Sequence, residues 1–117
     1  IAAVQDAVIH IVGDYSVSNG TGLFAHAYSA SGANIYYSNG LTVSVTGTVV
    51  VSQGFAVARQ GANIRSQSDT IGTTGSGSVS GPRYYADGNG VIFTNGGGAS
   101  YFPGSSAGTT ATGGQYI

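Results

Sequence analysis

The chain has 117 residues, enough for one domain, and 41% of them are hydrophobic, which supports a packed core and argues against disorder. Only 6% are charged, with no Lys and no Glu, against about 25% in ordinary globular proteins. A net charge of −1 offers no basic face for nucleic acid and no cationic stripe for lipid; no apolar run nears the ~20 residues of a membrane span.

In chain order the local signals are strand and turn. Val8-Ile9-His10-Ile11 alternates and runs into the turn-like Gly13-Asp14. Gly22 to Ala27 carries bulky residues between Gly and Ala. Gly32-Ala33-Asn34-Ile35 follows, then the turn Asn39-Gly40. Leu41 to Val51 alternates β-branched and small polar residues, the period of a half-buried strand. Gly54 to Ala58, Gly61 to Ile64, Gly81 to Ala86 and Val91 to Phe93 repeat the same sequence of signals. Gly interrupts every candidate helix, and Pro82 and Pro103 are expected at corners.

Internal repetition decides the architecture. Gly32-Ala33-Asn34-Ile35 recurs as Gly61-Ala62-Asn63-Ile64, and more loosely as Gly88-Asn89-Gly90-Val91, at spacings 61 − 32 = 29 and 88 − 61 = 27. A unit of this size with short strands and tight turns is one coil of a solenoid, which buries its apolar face only by stacking. Residues 1–117 are therefore read as a single all-β domain, a short parallel β-solenoid of about four rungs of 27–29 residues. The competing architecture is a β-sandwich of hairpins, which Asn-Gly turns also suit but which needs no recurring block. Stacking predicts an aliphatic ladder of Ile35, Ile64 and Val91 inside, and an amide ladder of Asn34, Asn63 and Asn89 at a corner.

The Gly-Ala-Asn-Ile blocks, the Thr73 to Ser78 stretch and the Tyr85-Ala86-Asp87-Gly88 turn resemble right-handed parallel β-helix proteins. The likeness is to pectate-lyase-like and autotransporter-passenger-like secreted repeat proteins. It covers about residues 20–100 and implies an extracellular or cell-surface setting and a right-handed coil.

Chemistry is sparse. The four Asp are scattered without the carboxylate pair that glycoside cleavage needs, and Asp14 and Asp69 occupy turn positions. Arg59 and Arg65 read as surface ion-pair residues, and His10 as a rim or satisfied core histidine. Two His are too few for a metal site without carboxylates, and Asp87 to Ile92 fails as a calcium loop because Tyr85 and Gly96 stand where acids are required. No enzyme, metal or cofactor is expected. Asn19-Gly20-Thr21 is the one N-glycosylation sequon, with Asn19 the candidate site. Eight Tyr offer rings to glycans or to the core.

No polar or helical cap is legible around Ile1 and Val4 or around Tyr116 and Ile117. Uncapped coils and low charge favour close association. The expected function is an extracellular structural protein that stacks head to tail on copies of itself into a filament. The alternatives are an adhesin-like glycan-binding module and a fragment of a larger β-helix surface protein.

Overall fold

The computed structural model describes residues 1–117 and contains fourteen strands, no helix, and parallel pairing throughout. Coil 1 holds β1 (Ala2–Val4), β2 (Val8–Ile11) and β3 (Tyr15–Val17). Coil 2 holds β4 (Gly20–Ala30), β5 (Asn34–Tyr37) and β6 (Thr42–Val45). Coil 3 holds β7 (Thr48–Arg59), β8 (Asn63–Arg65) and β9 (Thr70–Thr73). Coil 4 holds β10 (Ser78–Ser80), β11 (Tyr84–Asp87) and β12 (Val91–Phe93), and β13 (Thr109–Thr110) and β14 (Gln115–Tyr116) begin a fifth.

Stacked coils form three sheets. Sheet A runs β1-β4-β7-β11-β13, with β10 also on β7; sheet B runs β2-β5-β8-β12-β14; sheet C has only β3, β6 and β9. The parallel β-solenoid read from the repeat is thus the fold.

One turn repeats at every passage from sheet A to sheet B. Residues 5–6, 31–32, 60–61, 88–89 and 112–113 all have positive φ, between 50° and 76°. Each pair is closed by a main-chain bond from the following residue to the one before the pair, such as Ala33 N–H to Ala30 O at 3.3 Å and Gly90 N–H to Asp87 O at 2.8 Å. Two consecutive left-handed residues under such a bond make a type I′ turn, which favours Gly and Asn at its centre. Successive turns also bond along the axis, as Gly32 N–H to Gln60 O and Gly61 N–H to Gly88 O show.

This turn corrects the third repeat. Its centre is Gln60-Gly61 in coil 3 but Gly88-Asn89 in coil 4, and both orders suit two left-handed residues. Matching Gly88 to Gly61 slides the register by one, and in a strand one residue exchanges the faces. Ile92, not Val91, pairs with Ile64, so the lumen ladder is Ile9, Ile35, Ile64, Ile92 and Tyr116. Val91 stands opposite Asn63, and Asn89 is a turn residue outside the amide ladder.

The core follows from what each sheet turns inward. Sheet B contributes Ile35, Ile64 and Ile92, and sheet C Val43 and Val45. Sheet A contributes the in-register row Ala3, Ser29, Ala58 and Ala86. Small residues there leave room for the Ile row in the same cluster, so volume is matched between sheets.

Candidate functional site

The two coil faces and the lumen behind them hold most of the residues marked by the sequence. On the coil 1 face, β1, β2 and β3 each pair on one side only, so three strand edges lie open together. Val4, Val8 and Val12 rim this face at 45%, 54% and 77% exposure, and Ile1 and Phe24 are also exposed. Ile9, Ile11, Tyr15 and Val17 turn toward the core and remain only half-buried. An exposed row of unpaired main-chain groups beside apolar side chains is a template for further pairing.

The opposite face is different. Its outermost edges are those of β13 and β14, the β9 and β10 edges lie further back, and the segment from Thr94 to Gly104 folds across the lumen. Phe102 fills it, fully buried, 6.2 Å from Phe55 and in edge contact with Tyr101 at 5.1 Å. Tyr116 is not a free end residue. Its ring stacks on Tyr84 at 3.6 Å, its hydroxyl donates to Gly98 O at 2.8 Å, and burial pushes its pKa up to about 12. Ile117 is exposed, although its carbonyl accepts from Thr94 Oγ1 at 2.9 Å. The expectation of two uncapped ends is thereby corrected: one face is open and the other is partly closed by a buried aromatic.

Polar side chains in the lumen belong to coil junctions. His26 is buried, stacks on Phe55 at 4.5 Å, and bonds through Nε2 to the Tyr15 hydroxyl at 2.8 Å. Burial, with the terminal ammonium adding, lowers its pKa to about 4. Tyr15 reaches Tyr37, whose own burial raises its hydroxyl well above the ordinary range. Asp69 accepts from Leu41 N–H at 2.9 Å and from Ser66 Oγ at 2.6 Å, and Asp14 accepts from Thr42 N–H at 2.8 Å. Each carboxylate therefore substitutes for a missing ladder acceptor across 28 residues, the corner role expected of a turn Asp.

Of the amide ladder, Asn63 Nδ2 donates to Asn34 Oδ1 at 3.0 Å and Asn34 Nδ2 to Gly32 O at 3.2 Å. Arg59 pairs with Asp87, through Nε and Nη2 at 2.8 Å each. Arg59 is 37% exposed, so solvent screening keeps that pair's worth small. The buried histidine is His26; His10 lies exposed on the outer face of sheet B, 5.2 Å from the Tyr36 ring. His10, Tyr36, Arg65 and Phe93 form one in-register row there, with the Arg65 guanidinium 5.3 Å from the Phe93 ring. Asn19 is exposed, and its Oδ1 accepts from Thr48 N–H at 3.2 Å. No group of three or more His, Cys, Asp or Glu could hold a metal ion.

His26 and Phe102 carry no pattern that singles them out in sequence, since one sits in a Gly/Ala strand and the other in a Gly/Ser loop. Comparison with family models, with curated proteins and with solved structures found no match to this chain.

Proposed function

We propose that the protein is an extracellular structural module that extends by continuing its own sheets. The fifth coil of one copy meets coil 1 of the next. The observation that carries this reading is the coil 1 face, with three parallel strand edges open side by side behind an apolar rim. Head-to-tail contact supports it further, because it keeps every strand parallel. It would follow Tyr116 with Ile9 in the sheet B row and Thr110 with Ala3 in the sheet A row. The low charge leaves little repulsion to oppose contact. Secretion, and any sugar on Asn19, belong to the same proposal and rest on the resemblance and the sequon. No catalytic role is proposed, and the corner bonds of Asp14 and Asp69 support that choice.

Electron microscopy of the purified protein at neutral pH tests it. Fibres with an axial repeat near five strand spacings, ~24 Å, are expected, and Val8→Lys on the exposed rim of β2 should abolish them. Monodisperse particles for the unsubstituted chain would sink the filament and favour a longer surface protein in which further coils cover the same face. A second reading, glycan binding, is favoured by the outward in-register row His10, Tyr36, Arg65 and Phe93. Retention on a glycan array, lost on Tyr36→Ala, is its test.

A further inference from the structure

Sheet C is one strand short. It consists of β3, β6 and β9, and coil 4 returns from β12 to sheet A without adding a strand to it. The β9 edge facing coil 4 is consequently open. Thr70 N–H donates to Leu41 O at 2.8 Å and Thr74 N–H to Val45 O at 3.0 Å, both toward coil 2. Main-chain groups alternate sides along a paired strand, so the N–H and C=O of Ile71 and Thr73 point the other way, toward the missing strand. The same holds in β10, where Ser78 N–H donates to Gly47 O at 2.9 Å and the main chain of Val79 faces away from β7.

The loop that crosses this region makes no main-chain hydrogen bond to β9. At the Thr73 end of β9, between β10 and that loop, lies a groove of about 330 Å³ lined by Thr73, Ser78, Val79, Phe102, Pro103 and Arg83, among others, and by no acid. Arg83 is half-buried and donates through Nη1 to Ser106 O at 3.3 Å. No carboxylate lies within ion-pair distance of it, the one Arg–Asp pair being Arg59–Asp87. Outward main-chain groups of Thr73 and Val79 and an unneutralised cation thus share one mostly polar groove.

We propose that this groove binds an extended peptide as an added strand of sheet C beside β9, with the peptide's C-terminal carboxylate on Arg83. Every strand pair in the molecule is parallel. Parallel addition carries the peptide's C-terminal end past Thr73, the end where the groove and Arg83 lie. Main-chain bonding to the strand edge supplies affinity, and the cation selects chains that end there. The groove borders the face that the Thr94 to Gly104 segment closes, but it uses the β9 edge rather than the β13 and β14 edges of the proposed filament contact.

The test uses the full chain and a fluorescein-labelled hexapeptide, Leu-Thr-Val-Ser-Val-Thr, copied from Leu41 to Thr46 because β6 already pairs with β9 on its other side. The free acid should bind saturably by fluorescence anisotropy, and the C-terminal amide about tenfold more weakly. Arg83→Gln should erase the difference between the two. Thr73→Pro removes one outward donor without touching a ladder bond, and should weaken the free acid by up to about tenfold. Amide exchange of Ile71 and Thr73, read by NMR on the unsubstituted chain, should slow when peptide is added, a readout that needs no variant to fold. Absence of saturable binding, or unchanged exchange at those two amides in bound protein, overturns the proposal. Protection that rises with protein concentration alone overturns it too, by assigning the groove to a second copy.

Discussion

The imidazole of His26 lies 4.5 Å from the ring of Phe55, inclined to it by only 24°, and so joins coil 2 to coil 3 inside the lumen. Tyr15 closes its other side, with ring centroids 5.8 Å apart and its hydroxyl on Nε2. A charged imidazolium there would give up its hydration to two aromatic rings. The fold therefore holds His26 neutral, with a pKa of about 4.

That shift has a defined consequence for stability. The unfolded chain takes up a proton on His26 near pH 6.5, and the folded chain only near pH 4. Between those values the unfolded state binds more protons, so unfolding free energy falls as pH falls and levels off below about pH 4. The contribution is at most about 3 kcal/mol for this largely buried group. Urea midpoints measured from pH 7 to pH 4 should decline, and in His26→Gln the decline should flatten. An unchanged slope in that variant would refute the assignment to His26.

The register correction predicts a contrast between neighbours. Ile92 is fully buried between Ile64 and Tyr116, while Val91 faces outward and is half-exposed. Ile92→Ala should cost about 2–5 kcal/mol, and Val91→Ala under about 1 kcal/mol. Chemical denaturation of the two variants settles which residue stands in the lumen; a larger cost for Val91→Ala than for Ile92→Ala would return the register to Val91.

A third expectation concerns the amide bond from Asn63 to Asn34. Both side chains are half-buried, so the net worth of the bond is about 1 kcal/mol. A double-mutant cycle with Asn34→Ala and Asn63→Ala should show coupling of about 0.5–1.5 kcal/mol. Additive losses would mean that each amide acts alone.

Ser29 runs the other way. Its hydroxyl is fully buried without a hydrogen-bond partner, between two in-register neighbours, Ala3 and Ala58, that are both alanine. Ser29→Ala removes a desolvated polar group at almost no cost in packing. It should raise stability by about 1 kcal/mol, read as a higher thermal midpoint. A lower midpoint would mean that the hydroxyl is satisfied.

The repeat and the fold class were legible because a stacked coil constrains composition at two recurring places. The corner between sheets A and B needs two left-handed residues, and Ser31-Gly32 and Gln60-Gly61 announce it. The lumen position after it needs an aliphatic side chain, and Ile35 and Ile64 supply it. Coil 4 misled by one residue because Gly88-Asn89 meets the same backbone demand in the opposite order. Sequence identity at a turn is a weaker guide than the conformation the turn requires.

Parallel pairing, the coil length and the outward or inward sense of coils 2 and 3 were therefore determined by local residues alone, through turn chemistry and period-two alternation. The closing of the lumen by Phe102, the burial of His26 and the missing strand of sheet C were decided only in three dimensions. Each depends on contacts between residues far apart in the chain, such as Phe55 with Phe102 and Ser66 with Tyr101. A local pattern records which face a residue turns, but not what it meets across a core.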